Sequence, residues 1–579
     1  MTTARIPEEV ASPPDARTPA LVSVAGLDVV FPNRRGGVHA VRGVSFAVAR
    51  GECLAIVGES GSGKSVTARA LVGLAGPRAR VTARELTFAG QDLMNLGESR
   101  WRSLRGRRIG LVLQDALVSL DPLRTIGAEV AEPLRVHRVV PRADTKARVH
   151  QLLAQSGVPD PEHRARQYPH QLSGGLRQRA LIASALAGGP ELVIADEPTT
   201  ALDVTVQARI LTLLGRLRDA GTAILLISHD LAAVARLADR IAVMRDGEIV
   251  EQGPAHRVLG APEHACTKAL LAAVPSAHAK GTRLSPGTEP ATPRPRVRAS
   301  RTPPDPSASL LDVRSVGKRF RSPDGTWHEA VRDVSFAVAP GEILGVVGES
   351  GSGKTTVARI VLGLTEPDTG TVEFAGRAWG GARERDRRAL RPRIQTVQQD
   401  PLGSFDPRYT VRRIVGEAVR ALPGSPAEEA HRASGRGAAL TARRRERAAR
   451  VAELLGLVGL SADLMARRAR ELSGGQRQRV AIARALATDP DLIVCDEPVS
   501  ALDVSVQAQI LDLLADIRAE SAVALLFISH DLGVIRHISD RVLVMKDGRV
   551  VESGEGEAIF TEPRHPYTRA LLAAVPRTP

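Results

Sequence analysis

Lys64 and Lys354 each close a run of glycine and serine whose residue types suit phosphate chemistry. The first run is Gly58, Glu59, Ser60, Gly61, Ser62, Gly63, Lys64 and Ser65; the second is Gly348, Glu349, Ser350, Gly351, Ser352, Gly353, Lys354 and Thr355. Both fit G-x-x-x-x-G-K-[ST], the phosphate-binding P-loop. Glycines let the backbone curl so that successive N–H groups converge on phosphate oxygens, and a following helix adds the positive end of its dipole. The lysines reach the β- and γ-phosphates of a nucleotide, and Ser65 and Thr355 ligate Mg²⁺. The plainer alternative is a glycine turn before a helix. Against it, each run follows an apolar segment (Cys53–Val57, Ile343–Val347) and enters a helix-like one (Val66–Leu74, Val357–Leu364).

Further along, each half carries an apolar strand ending in two acids, Leu192–Glu197 and Leu492–Glu497. A carboxylate at the end of a buried strand holds Mg²⁺ through its water shell, the role read for Asp196 and Asp496. Glu197 and Glu497 are placed to polarise an attacking water as general bases. One acid capping a strand is ordinary. Asp-Glu-Pro-x-x-Ala-Leu-Asp twice in the same register is not.

Those residues need elements to hold them, and an internal repeat supplies the plan. Gly58 and Gly348 are 290 residues apart, Ser173 and Ser473 are 300 apart, and His229 and His530 are 301 apart. The chain is therefore read as a 1–20 disordered tail, a domain at 21–275, a flexible linker rich in Pro, Arg, Ala and Ser at 276–308, and a second domain at 309–579. The gain of ten between P-loop and Ser473 is assigned to an Arg-rich insertion near 421–447. Each domain opens with strand-like segments (Leu21–Phe31 and Val38–Val48; Leu310–Phe320 and Glu329–Val338) and carries a late hairpin turn (Asp246-Gly247; Asp547-Gly548). Between these, apolar strands alternate with amphipathic helices, the pattern of a mainly parallel α/β sheet.

Composition narrows the class. The apolar fraction is 43% and the charged fraction 25%, as in a soluble globular protein. The longest apolar runs, such as Ala522–Ile528, are of strand length, and residues 1–20 lack the apolar core of an export signal. Cys53, Cys266 and Cys495 lie far apart, which argues for a reducing compartment and against a zinc or iron–sulfur site. Cys495 reads as a small buried strand residue. The net charge of +15 could suggest nucleic acid, but residues 277–303 and 420–450 each hold +5 of it. Such runs are solvated segments, or are drawn to anionic lipid, and no nucleic-acid partner is expected.

Each half also carries Leu-Ser-Gly-Gly (Leu172–Gly175, Leu472–Gly475) at a helix start, a second anion-binding site that one nucleotide does not need within one domain. Together these motifs resemble the ATP-binding cassette (ABC) ATPases, whose signature is Leu-Ser-Gly-Gly-Gln. The resemblance implies two P-loop NTPase domains, each with a mainly parallel sheet core, an antiparallel β subdomain and a helical subdomain. It implies head-to-tail pairing, with Gly58–Ser65 completed by Ser473, Gly474 and Gly475, and Gly348–Thr355 by Ser173, Gly174 and Gly175. It casts Gln114 and Gln399 as Q-loop glutamines touching Mg²⁺, His229 and His530 as switch histidines at the γ-phosphate, and Asp203 and Asp503 as D-loop residues. Phe31 and Phe320 become candidates for the ring that stacks on adenine, with core or edge packing as the alternative. Leu176 departs from the pattern, standing where the second copy has Gln476. With both glutamates and both histidines present, two hydrolytically competent sites, equal or unequal in rate, are expected.

Three segments resemble one branch of that family, the ATPases of dipeptide, oligopeptide, nickel and glutathione importers. They are Ser119–Pro122, Ser404–Arg408, and the tail His565-Pro566-Tyr567-Thr568 with its degraded copy His264-Ala265-Cys266-Thr267. The resemblance implies a motor that uses ATP and Mg²⁺ at the cytoplasmic face of the plasma membrane to drive uptake of dipeptides or oligopeptides, with nickel or glutathione as the alternative substrate. Its partners would be two integral membrane permease subunits and an extracytoplasmic solute-binding protein. The rival reading is a tandem ABC ATPase acting on ribosomes, whose long charged helical linker is not matched by the short Pro-rich 276–308 segment.

Overall fold

The computed structural model describes residues 20–32, 37–114, 119–199, 202–285, 309–321, 325–420, 436–500 and 502–575, with backbone alone for 436–443. The expected tail up to residue 19, the 286–308 part of the expected linker and residues 421–435 of the Arg-rich insertion lie outside them. The chain divides into two compact units, one built mainly on 20–200 and 207–268 and the other mainly on 269–575.

In the first unit six strands form one sheet. Its order is Glu248–Pro254, Arg240–Arg245, Cys53–Val57, Ala223–Ile227, Leu192–Asp196, Ile109–Val112. All neighbours are parallel except the Arg240–Arg245/Glu248–Pro254 hairpin, which turns at Asp246-Gly247 as expected. Every residue of Cys53–Val57, Leu192–Asp196 and Ala223–Ile227 is buried. Both faces of these strands are covered, which is why they read as unbroken apolar runs and do not alternate. A second, antiparallel sheet centres on Ala20–Phe31, paired with Val38–Ala49 and Glu85–Phe88. Its inward residues, among them Leu27, Val41 and Phe88, share a core with Ile56 of the parallel sheet and Leu71 at the end of the helix Lys64–Ala70. A helical part, Ile126–Val136, Thr145–Gln155 and Gly174–Leu186, packs together beside them.

The second unit repeats this plan. Its parallel sheet runs Ile394–Val397, Leu492–Asp496, Ala524–Ile528, Ile343–Val347, Arg541–Lys546, with Arg549–Glu555 as the antiparallel edge. Leu311–Arg321 centres the antiparallel sheet between Trp327–Val338 and Thr369–Phe374. The main difference between the copies lies in the helical part, where the 22-residue Arg436–Leu457 stands against the 11-residue Thr145–Gln155. Gln114 and Gln399 are only 285 apart in the sequence, so the second copy first loses five residues and then gains fifteen before Ser473. The lengthened stretch ends in that long helix.

The first ten residues of the 276–308 segment are held in place. A turn at Pro275–Ala277 lies on the helix Leu532–Ile538, and Leu284, 1% exposed, enters the core of the second unit. Asp512, buried on the helix Val504–Ser521, accepts hydrogen bonds from the Leu284 N–H (3.1 Å), the Ser285 N–H (2.9 Å) and the Ser285 hydroxyl. Lys280 pairs with Asp540 at 2.7 Å and Arg283 with Asp516 at 3.1 Å. The docking rests on Asp512, because removing it strands two amides. Unsatisfied buried donors cost about 1–3 kcal/mol. Asp512→Ala should therefore speed trypsin cleavage after Lys280 and Arg283 by about tenfold, read on a gel time course; an unchanged rate would mean the segment is held by other contacts.

All three cysteines are buried. Burial raises the thiol pKa of Cys53 and Cys266, and pushes that of Cys495 up to about 12.

Candidate nucleotide sites

In a parallel sheet the loops at the carboxyl ends of neighbouring strands share one rim. Cys53–Val57 lies beside Ala223–Ile227, which lies beside Leu192–Asp196 and then Ile109–Val112. The P-loop, His229, Glu197 and Gln114 therefore gather at one edge of the first unit, although 171 residues separate Gly58 from His229 in the sequence.

The loop itself is shaped by backbone that only glycine tolerates. Gly58 has φ +153°, and a Cβ there would lie 2.1 Å from the Met244 carbonyl oxygen. Gly63, at φ +100°, would meet the Ala40 carbonyl at 2.4 Å. Lys64 opens the helix Lys64–Ala70, and its ammonium donates to the carbonyls of Gly58 and Glu59, both at 2.7 Å. Ser65 donates its hydroxyl to Asp196 Oδ1 at 2.8 Å. Asp196 is fully buried and its Oδ2 has no hydrogen-bond partner. Burial raises its pKa against the opposing Ser65 bond. A hydroxyl and a buried carboxylate oxygen are hard oxygen donors, the set Mg²⁺ accepts while keeping most of its water.

Beside them Glu197 has φ +50° and donates its N–H to the Ile227 carbonyl at 2.9 Å. A non-glycine residue in the left-handed region is held there by its surroundings. Its carboxylate is gripped from two sides, by Gln114 Nε2 at 2.7 Å and His229 Nδ1 at 3.3 Å. Burial works against the charged form of His229, but the hydrogen bond and charge of Glu197 outweigh it and the pKa is raised.

The second unit builds the same edge. Gly348 (φ +154°) faces the Met545 carbonyl, and Lys354 donates to the carbonyls of Gly348 (2.7 Å) and Glu349 (2.8 Å). Burial lowers the Lys354 pKa. Asp496, which hydrogen-bonds Thr355, is raised by burial and by repulsion from Glu497. Glu497 (φ +49°) sits 3.3 Å from His530 Nδ1. Burial favours the neutral form of Glu497, yet the His530 hydrogen bond and charge carry its pKa downward. The histidine is raised in turn by Glu497, against burial.

The two edges differ at the glutamine. Gln399 does not grip the glutamate as Gln114 does; it donates to the Ser500 hydroxyl at 3.3 Å, and that hydroxyl donates to the Glu497 carbonyl at 3.2 Å. Ser500 was not foreseen. The signal for it was a hydroxyl residue three after the glutamate in both copies, Thr200 and Ser500.

The signature segments form helix starts, with Ser173 and Ser473 exposed at the N-caps of Gly174–Leu186 and Gly474–Leu486. Ser473 Oγ accepts the Gln476 N–H (3.2 Å) and Gln476 Oε1 accepts the Ser473 N–H (3.1 Å), a reciprocal capping box. Leu176 cannot return that bond, and Ser173 makes no side-chain cap. Asp203 and Asp503 begin the next helices, accepting the N–H of Val206 at 2.9 Å and 3.1 Å from Val506 in the second copy. Phe320 is 43% exposed at the end of its strand, whereas Phe31 is half-buried against the antiparallel core.

A P-loop, an acidic strand end and a following histidine, built twice on parallel sheets, define a tandem P-loop ATPase. The family model for ABC transporters matches residues 41–200 and 331–500, and the chain belongs to that family. A second model, the C-terminal region of oligopeptide/dipeptide transporters, matches 250–298 and 551–579. The chain is similar to the glutathione import ATP-binding protein GsiA of Escherichia coli O157:H7, 41% identical over 96% of this chain and 89% of that protein. The GsiA of Escherichia coli K12 gives the same figures. A solved dimeric structure of the ATP-binding cassette MJ0796 bound to ADP and Pi is 28% identical, covering 42% of this chain and 98% of that one, with a TM-score of 0.37.

Proposed function

We propose that this chain is the ATP-hydrolysing motor of an importer for small peptides, glutathione included, working with separate permease subunits. The observation that carries the reading is the pairing of two complete P-loop edges with a tail of the oligopeptide/dipeptide transporter type at the end of each cassette. Glutathione is itself a tripeptide, so the tail model and the GsiA likeness point to one chemical class. A ribosome-acting ATPase would leave both tails unexplained.

Each ATP would be held by one P-loop and the other unit's signature, Gly58–Ser65 with Ser473–Gly475 and Gly348–Thr355 with Ser173–Gly175. Ser65 and Asp196 would hold Mg²⁺ in the first site with Gln114 nearby, and Thr355, Asp496 and Gln399 would do so in the second. When bound, the ion neutralises charge on the β- and γ-phosphates. Glu197 and Glu497 take the proton of the attacking water, while His229 and His530 fix the carboxylates and face the γ-phosphate. Phe31 and Phe320 would stack on adenine, with the exposed Phe320 the better presented. Among the described residues no helix is long and apolar enough to cross a membrane. The path for solute would therefore come from two permease subunits, supplied by an extracytoplasmic binding protein, with this chain at their cytoplasmic face.

The test is uptake. Cells whose only copy carries Lys64→Ala and Lys354→Ala should lose accumulation of labelled glutathione or labelled dipeptide, with the variant still in the membrane fraction. Full uptake of both solutes would overturn the reading.

A further inference from the structure

The tail motif has a second end that reaches the nucleotide site. In the second unit Glu552, on the strand Arg549–Glu555, accepts the N–H groups of Arg564 (2.7 Å) and His565 (3.1 Å). His565 Nδ1 accepts the Tyr567 N–H at 3.1 Å and caps the helix Pro566–Ala574. This staple fixes Tyr567, which is 9% exposed, with the Lys546 ammonium 4.8 Å from its ring centroid. The phenol oxygen accepts the N–H of Glu349, the second residue of the P-loop, at 3.1 Å.

The first unit has the staple without the reach. Glu251 accepts the N–H groups of Glu263 (2.9 Å) and His264 (3.0 Å), and His264 Nδ1 accepts the Cys266 N–H at 3.1 Å. Arg245 stands for Lys546 and Cys266 for Tyr567, so the ring and its hydroxyl are missing where Glu59 matches Glu349. The scaffold is the same in both copies, and the hydroxyl on the loop is the difference.

We infer that Tyr567 is a positioning residue that presets the second P-loop, so that the second cassette binds nucleotide more tightly than it would without the phenol hydroxyl. The loop is then pinned at its start on two sides, by Gly348 against the Met545 carbonyl and by the Tyr567 bond to Glu349. A loop already in its bound shape loses less freedom when phosphate arrives, and that saving appears as affinity. The inference rests on the nucleotide reading of the P-loops given above.

The experiment is equilibrium binding of ATP with Mg²⁺ to the full chain, with one P-loop silenced at a time. With Lys64→Ala silencing the first site, Tyr567→Phe should weaken the remaining binding by about 2–10-fold, the worth of one hydrogen bond. Phenylalanine keeps the ring over Lys546, so the unfolding midpoint should hold. With Lys354→Ala silencing the second site, Tyr567→Phe should change nothing. Unchanged affinity in the first background, or an equal loss in both, would overturn the inference. If neither lysine variant reduces binding, it is the nucleotide reading that fails.

Discussion

Glu197→Gln together with Glu497→Gln should leave ATP binding intact and cut hydrolysis by about 10²–10⁴-fold, the usual worth of a positioned general base. Glutamine keeps the shape of the side chain and can still accept from Gln114 in the first unit or from a protonated histidine. What it loses is the capacity to take a proton from water. The unusual backbone conformation of both residues (φ +50° and +49°) is set by the bond from each N–H to the neighbouring strand, at Ile227 and Ile528. Neither bond involves the side chain, so the substitution should not disturb the fold. The single variants carry further information. Gln114 holds the first carboxylate directly while Gln399 reaches Ser500, so the two glutamates start from different restraints. Steady-state phosphate release by the chain assembled with its permeases in membranes measures all three variants. Unaltered release by the double variant would remove the glutamates from the chemistry.

Gly348→Ala should weaken nucleotide binding at the second P-loop by about 10²-fold. The added Cβ would sit 2.2 Å from the Met545 carbonyl oxygen, well inside contact distance, at a φ of +154°. A left-handed conformation costs a non-glycine residue roughly 1–2 kcal/mol, and overpacking a tight site adds about 1–3 kcal/mol. The strand Arg541–Lys546 belongs to the sheet core and cannot yield, so the loop must. Gly351→Ala is the internal control. Nothing lies within 4 Å of the Cβ it would add, so only the conformational cost at φ +84° applies. Binding isotherms should rank the two variants in that order, with Gly351→Ala losing about tenfold. A reversed order would show that backbone contact at Met545 is not what shapes the loop.

How much of this was legible in the residues depends on range. The P-loops, the acidic strands and the histidines are contiguous motifs, and their strands are buried on both faces, so the apolar runs announced them. Strand ends fell within a residue or two, as with Leu21–Phe31 against Ala20–Phe31. The net offset of ten between P-loop and signature hid a loss and a larger gain, because motif spacing reports only their difference. What could not be read were bonds between distant residues without a shared pattern. Tyr567 and Glu349 are 218 residues apart, and Leu284 and Asp512 are 228 apart. Composition marked 276–308 as linker, and its first ten residues are too polar to advertise a docking partner. They are held by a few directed bonds and one leucine. The loss at Leu176 was visible as a letter, but its consequence, a helix start without its reciprocal cap, needed the geometry of Gln476 for comparison.

The buried cysteines have a practical consequence. A maleimide or methanethiosulfonate reagent attacks through the thiolate, and each of the three thiols is both covered and raised in pKa. The native chain is thus a nearly silent background for probe chemistry. A cysteine pair introduced at the exposed residues Arg102 and Ala519, one on each unit and outside the nucleotide sites, could carry spin labels without stripping the natural sulfurs from their cores. The distance between those labels, followed with and without ATP, would test directly whether the two cassettes draw together when nucleotide binds.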